Sequence, residues 1–410
     1  MKLSIIICVY NTSEKYFEKC LSSIYNSTLK NDDYEILVID DGSYKDYSIF
    51  EKTYPIRIIK TENQGIFKAR LLGIKEARGE YTAFVDSDDT VTFNFHRPML
   101  ETAIKTNSDI VFNDWAFHTE RTRYCCLSDS TISENFEYEA DKCLLSFAKN
   151  EGREHSFFVL WNKMFKSGVL KSNYERLIDI ANAHGRYNYS EDALICFFAF
   201  KSCKRCKNIH TGYYFYRIHS NQNVNIESEK KLTNHIKHMS CTLDIMKNNI
   251  GENKYYNLIS NHLDRWSELM SRTHYSHAKA NNYIHLYDYI KSAYHVSILK
   301  KSAFKDNSAY SKNKVLPYNI EKIDNELINI WRSIEYIEIN PKNFDTYTKN
   351  SIKYITDTKS NIRLSKDGIS LTAPKTKLKD KFLMNKLVYS LGLILFKKGS
   401  KIRSFLKKHI

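Results

Sequence analysis

Asp86, Asp88 and Asp89 fall within four consecutive residues, directly after the apolar run Tyr81-Thr-Ala-Phe-Val85. Carboxylates this close repel one another unless something positive lies between them, and a divalent cation is the natural partner. Oxygen-only ligands favour magnesium or manganese over softer metals. The same residues also suit a strand-to-helix turn with an N-capping Asp, so the motif by itself leaves both readings open. A second acidic pair, Asp40-Asp41-Gly42-Ser43, follows the run Glu35-Ile-Leu-Val-Ile39, and Tyr10-Asn11-Thr12 follows Leu3-Ser-Ile-Ile-Ile-Cys-Val9. Further on, Ser190-Glu191-Asp192 opens an apolar stretch, residues 193–200. Carboxylates there either complement the positive end of a helix or stand ready to accept a proton.

The elements that carry these residues are legible from their periods. Residues 3–9, 35–39, 56–59, 81–85 and 109–112 are short continuous apolar runs, as strands buried on both faces are. Residues 16–25 and 65–77 repeat apolar positions at helical spacing. Strand alternating with helix implies crossover connections and a mostly parallel sheet covered by helices. Ligands bind such sheets at the carboxyl ends of the strands. The polar tips after residues 9, 39 and 85 therefore belong on one edge, with five carboxylates from two of them. Residues 230–300 repeat Leu232, Ile236, Met239, Leu243 and Met246, then Ile259, Leu263, Trp266 and Met270, at steps of three and four. That spacing predicts two or three amphipathic helices.

In order and spacing, these segments resemble the family 2 glycosyltransferases of the GT-A fold. The matching residues are Ser4-Ile-Ile-Ile-Cys-Val-Tyr-Asn11, Val38-Ile-Asp-Asp-Gly-Ser43, Asn63-Gln-Gly65, Ala69-Arg70, Gly73, Gly79-Glu80-Tyr81 and Phe84-Val-Asp-Ser-Asp-Asp89. The resemblance implies an α/β fold, a mostly parallel mixed sheet between helices, followed by a helical C-terminal region. It implies a nucleotide-sugar donor, with UDP as the nucleotide, bound by Val9, Tyr10, Asn11, Asp41, Gly65, Arg70, Asp86 and Ser87. It implies Mn²⁺ or Mg²⁺ on Asp88 and Asp86, neutralising the leaving nucleoside diphosphate. Leu71 stands where the family often has Asn, which puts one donor-side contact in doubt.

Leu160-Trp-Asn-Lys-Met-Phe165 resembles the segment before the family's acceptor region, and Glu191-Asp192 its catalytic pair, with Asp192 as base for an inverting transfer to an acceptor hydroxyl. Tyr213-Tyr-Phe-Tyr-Arg-Ile-His219-Ser-Asn221 resembles the strand and loop that close the site, which would bring His219 to the metal or to a phosphate. Gln-x-x-Arg-Trp, usual in processive members, is absent. No GxxxxGK[ST] loop exists, which excludes a P-loop reading.

The chain has 410 residues, 42% hydrophobic and 27% charged, with a net charge of +15. Residues 375–410 hold eleven Lys/Arg against Asp380 alone, so the basicity is mainly a C-terminal feature. Basic residues interleaved with Phe382, Leu387, Leu391, Ile394, Ile402 and Phe405 suit an anionic membrane surface. A lipid-linked or glycan acceptor fits such a tail, and with one Arg (Arg403) among its lysines nucleic acid does not. No run is long enough to span a bilayer, and no signal-peptide pattern opens the chain. The nine cysteines show no disulfide framework. Cys203-x-x-Cys206 with His210 offers three zinc ligands where a structural site closes with four, so free thiols are expected.

These readings divide the chain into a GT-A domain over 1–225, a helical region over 226–304, an unassigned extension over 305–375 and a membrane-facing tail over 376–410. They imply a cytoplasmic hexosyl- or N-acetylhexosaminyl-transferase on the inner face of the cytoplasmic membrane, building capsule, lipopolysaccharide or a related surface glycan. Two other classes fit the same residues: a nucleotide-sugar or glycan-binding module without turnover, and a peripheral membrane scaffold. Nothing in the pattern speaks to oligomeric state.

Overall fold

The computed structural model describes residues 1–25, 27, 29, 33–119, 125–127, 137–139, 141–149, 155–218, 226, 228–299, 336–338, 362–365 and 368–371. In chain order the elements are β1 (Leu3–Val9), α1 (Glu14–Tyr25), β2 (Tyr34–Asp40), β3 (Ile56–Lys60), α2 (Ile66–Glu76), β4 (Tyr81–Phe84), β5 (Thr90–Val91), α3 (His96–Thr106), β6 (Ile110–Thr119), β7 (Cys125–Leu127) and β8 (Glu137–Glu139). They continue with α4 (Asp141–Lys149), α5 (His155–Phe158), β9 (Lys163–Lys166), α6 (Ser167–Lys171), α7 (Tyr174–His184), α8 (Glu191–Ser202), β10 (Arg205–Ile218), α9 (Glu229–Asn248), α10 (Tyr256–Ala280) and α11 (Leu286–Ala293). β11 (Tyr336–Glu338), β12 (Ile362–Ser365) and β13 (Gly368–Leu371) form a separate antiparallel sheet within the stretch that the sequence left unassigned.

Among the described residues the main sheet has ten strands, ordered β3-β2-β1-β4-β9-β6-β10-β5, with β7 beside β6 and β8 beside β10. β3, β2, β1 and β4 are mutually parallel. β9 then runs antiparallel to both β4 and β6, which makes the sheet mixed. The register Val9↔Asp40 puts the tips of β1 and β2 side by side, and β4 ends on the same edge. That is the expected edge for a ligand.

Continuous apolar runs arise here because each strand feeds two cores. Ile6, Leu37, Ile39 and Phe84 enter one, and Ile5, Ile7, Ile36, Val38 and Ala83 the other. Alternate side chains point to opposite faces, so a strand covered on both sides is apolar at most positions, with Ser4, Glu35 and Thr82 as buried polar exceptions. Phe17, Leu21 and Ile24 of α1 and Met99 and Ala103 of α3 close one face. α2 and α8 close the other, and the helices α9, α10 and α11 extend that same core through Leu232, Ile236, Trp266 and Ile290. α8 is buried all round from Ala193 to Phe200, as its unbroken apolar sequence requires. α2 lies unusually close to β1 because a Cβ on Gly73 would come within 2.5 Å of Ile6 Cγ2.

No helix among the described residues is long and apolar enough to cross a membrane. The basic tail, 376–410, lies outside the described residues, as does His219.

Candidate active site

The edge at the tips of β1, β2 and β4 collects the acidic motifs, but most of its carboxylates are already engaged. Asp40 Oδ1 accepts from Ser43 N at 2.9 Å. Asp41 accepts from Gln64 N at 2.8 Å and Gly65 N at 2.9 Å, one on each oxygen. That clamp fixes the turn into α2, where Gly65 holds φ +95° and a Cβ would sit 2.7 Å from Asn188 Oδ1. A glycine is required there on both counts. Burial raises the Asp41 carboxyl above its ordinary value, while the two N–H groups pull it back.

Val9 is buried at the end of β1, and Tyr10 beside it is 55% exposed. Asn11 adopts φ +53°. Its N–H donates to Ser43 Oγ at 3.0 Å and its Oδ1 accepts from Tyr44 N at 3.0 Å, joining the tips of β1 and β2. Ser87 Oγ and Thr12 Oγ1 share a hydrogen bond of 2.7 Å, which ties the same tip to the turn after β4.

Within that turn the three aspartates part company. Asp89 is buried. Its Oδ2 accepts from the Tyr214 hydroxyl at 2.7 Å and its Oδ1 from Arg217 N at 2.7 Å. Burial, then the charges of Asp88 and Asp86, push its carboxyl well up. Tyr214 also accepts from Asp86 N at 3.0 Å and stacks on Trp161 with centroids 4.5 Å apart. Arg217 Nε donates to the Asp88 carbonyl at 2.7 Å, and its guanidinium lies 4.6 Å over the Tyr16 ring. Asp89 thus anchors the turn to β10, while Asp86 and Asp88 stay partly open to solvent. Two hard oxygen donors on one turn fit magnesium or manganese by the chemistry of the donor set.

Arg70, the residue from α2 expected near the donor phosphates, is buried between two carboxylates. Nη2 donates to Asp86 Oδ1 at 3.0 Å and Nη1 to Glu191 Oε1 at 2.5 Å. Its helix can come this near the sheet because of Gly73. Glu191, expected beside Asp192 as half of a catalytic pair, is therefore committed to Arg70. Asp192 Oδ1 accepts from Ala193 N at 2.8 Å. Burial pushes Glu191 up to about 7, with Arg70 opposing and Asp192 adding. It raises Asp192 as well, again against the pull of Arg70.

Sequence reasoning quoted Lys163 only as part of a resembling segment. It is buried at the start of β9, where Nζ donates to Asn162 Oδ1 at 2.8 Å and to the Val159 carbonyl. Nζ lies 4.8 Å from the Phe112 ring centroid. Burial drives its ammonium down to about 8, against the charges of Cys196 and Asp192.

The sheet order, the acidic turn after β4 and the carboxylates opening α8 define a GT-A fold. Residues 4–169 match the family Glycosyl transferase family 2. The chain is 30% identical over 224 residues to "Putative glycosyltransferase EpsH" of Bacillus subtilis, covering 53% of this chain and 61% of that protein. It is 36% identical over 184 residues to "Cholesterol galactosyltransferase" of Borreliella burgdorferi, covering 42% and 50%. It thus spans between half and two thirds of the length of these relatives. Among solved structures, S. aureus TarS 1-349 in complex with UDP-GlcNAc superposes with a TM-score of 0.52 at 19% identity, over 72% of this chain and 79% of that one.

Proposed function

We propose that the chain is an inverting, divalent-metal-dependent glycosyltransferase. It takes a UDP-linked hexose or N-acetylhexosamine and passes the sugar to a hydroxyl of a bacterial surface polysaccharide or glycolipid. The observation that carries this reading is the double ion pair of Arg70, which joins the acidic turn after β4 to the start of α8. One buried cation thereby holds a metal-capable turn and a candidate base about a single centre. The UDP-GlcNAc bound by the similar TarS structure supports UDP as the nucleotide.

In this reading the acceptor oxygen attacks the anomeric carbon as the bond to the diphosphate breaks, and the electron pair leaves with UDP. Asp192 takes the hydroxyl proton. Its raised carboxyl makes it a stronger base than an exposed aspartate, provided that it is ionised. Arg70 opposes that rise by facing it with a positive charge while holding Glu191 in place. Asp86 and Asp88 would hold Mn²⁺ or Mg²⁺, which offsets the charge developing on the leaving diphosphate. Tyr10, Asn11 and Asp41 lie at the strand tips where the uracil would rest, with Gly65, Ser87 and Val9 around it. His219 and the basic tail belong to the same reading as a phosphate or metal contact and as the hold on an anionic membrane, which keeps the enzyme at the inner face of the cytoplasmic membrane.

The test is a panel of nucleotide sugars incubated with Mn²⁺, with release of the nucleoside diphosphate as readout. One donor should be consumed by the wild type and not by Asp88→Asn. UDP binding with no release from any donor, even with glycan or lipid-linked acceptors present, favours a binding module instead. Absence of both binding and release overturns the reading.

A further inference from the structure

Outside the transferase centre, three cysteines converge. Cys143 lies in the first turn of α4, Cys203 directly follows α8, and Cys206 is the second residue of β10. Their Sγ atoms all lie within 4.8 Å of one another, and all three residues are buried. The Tyr138 carbonyl accepts from Cys143 Sγ at 3.3 Å, and Tyr138 faces Cys206 across the β8–β10 pair. All three are free thiols. From these positions we infer that Cys143, Cys203 and Cys206 form a three-thiolate zinc site, separate from the hard-metal site on Asp86 and Asp88.

Three properties of the cluster support this. A disulfide would use two of the sulfurs and leave the third with nothing to bond, whereas a metal uses all of them. Thiolates are soft donors and select zinc over magnesium or manganese. Zinc–sulfur bonds of about 2.3 Å in a tetrahedron put the sulfurs ~3.8 Å apart, inside the 4.8 Å within which all three lie here.

The charge also balances. Zinc with three thiolates carries one net negative charge, which is costly to bury alone. The loop between Cys203 and Cys206 is Lys204-Arg205, and Lys207 follows. Arg205 and Lys207 share Glu137, at 3.6 and 3.2 Å, and Asp109 accepts from Lys204 N at 2.7 Å and Arg205 N at 3.2 Å, so three positive charges less two negative leave one to face the site. Among the described residues no fourth His, Cys or carboxylate joins the group, so the fourth position falls to an exogenous donor such as water.

The site sits where it can do mechanical service. Cys203 ends the helix that begins with Glu191 and Asp192, and Cys206 begins the strand that later carries Tyr214 and Arg217. Zinc would pin that junction to α4 and β8, and so hold both elements in register. Cys143, 60 residues upstream of Cys203, supplies the third sulfur from a distance that no local spacing reveals.

The experiment uses the full chain purified without added chelator. Elemental analysis should find zinc at one equivalent per chain, and titrating the thiols with a mercurial should release it. Reconstitution with Co²⁺ should produce sulfur-to-cobalt charge-transfer absorption. Cys203→Ser and Cys206→Ser should lose the zinc, and Cys241→Ser should keep it. If the serine variants do not fold, mercurial release and the cobalt spectrum of the wild type decide. A folded wild type that stays metal-free after incubation with zinc, or that carries a disulfide between two of the three cysteines, overturns the inference. None of these readouts depends on transferase activity.

Discussion

Arg70 and Glu191 stand 121 residues apart in the chain, yet Arg70 Nη1 lies 2.5 Å from Glu191 Oε1. The other arm of the same guanidinium holds Asp86. A planar fork offers donors in fixed directions to two carboxylates at once, where an ammonium is a compact point charge on a flexible stem. Breaking such a pair by removing the cation leaves two carboxylates in a buried setting without compensation. Arg70→Met should therefore cost about 3–5 kcal/mol of stability. Adding Glu191→Gln should recover part of that loss, since only Asp86 then lacks its partner. Urea denaturation of the single and double variants checks the coupling, and strictly additive losses would count against it.

The three aspartates after β4 should respond differently to the same change. Asp88→Asn should abolish Mn²⁺-dependent release of UDP with the melting temperature nearly unchanged, because its side chain is partly open to solvent. Asp89→Asn should instead lower stability by about 1–3 kcal/mol, the cost of a broken buried hydrogen bond. The Tyr214 hydroxyl already accepts from Asp86 N, so it must donate to residue 89. An amide NH₂ at that position sets donor against donor. Thermal unfolding and metal titration of both variants separate the two roles, and equal effects would contradict this assignment.

Asp192 should set the acid limb of the pH–rate profile. A base works only when ionised, and burial raises this carboxyl above its ordinary value. Activity should therefore fall, as pH is lowered, at a higher pH than for an exposed aspartate. Asp192→Asn should reduce transfer to the acceptor by about 10²- to 10⁴-fold and leave UDP affinity, measured by calorimetry, close to that of the wild type. An acid limb that persists in Asp192→Asn at the same pH would assign it to another group.

The parallel half of the sheet could be read from sequence because strands buried on two faces leave unbroken apolar runs, as Ile5, Ile6 and Ile7 do. The long helices α9 and α10 were legible from their period. β9 was not. Lys163-Met-Phe-Lys166 carries a lysine at each end, and its antiparallel insertion between β4 and β6 is a matter of tertiary pairing. α3 and α7, whose buried positions mix with charge, were also missed. At the site, Asp86, Asp88, Glu191 and Asp192 stood out by local motif. What could not be seen was which of them were already spoken for. Asp89 with Tyr214, Arg70 with Glu191, and Cys143 with Cys203 and Cys206 are all set by contacts between distant segments.

His96, at the start of α3, offers a stability test independent of catalysis. It is fully buried, and neither ring nitrogen has a hydrogen-bond partner among the described residues. Burial pushes it down to about 3. A depressed value in the folded state means that the unfolded chain binds the proton first as pH falls. The stability tied to a neutral His96 is therefore complete above pH ~6.5 and is lost, by about 1.4 kcal/mol per pH unit, as pH drops toward the folded value. His96→Leu removes that proton linkage and two unsatisfied nitrogens together. At neutral pH it should be neutral or stabilising by up to about 2 kcal/mol, and its acid loss should be shallower than that of the wild type. His238 and His274, pushed down by burial to about 4 and about 3, will keep part of the slope. Urea midpoints from neutral pH into the acid range give the comparison, and parallel slopes for the two proteins would show that His96 is not held neutral by the fold.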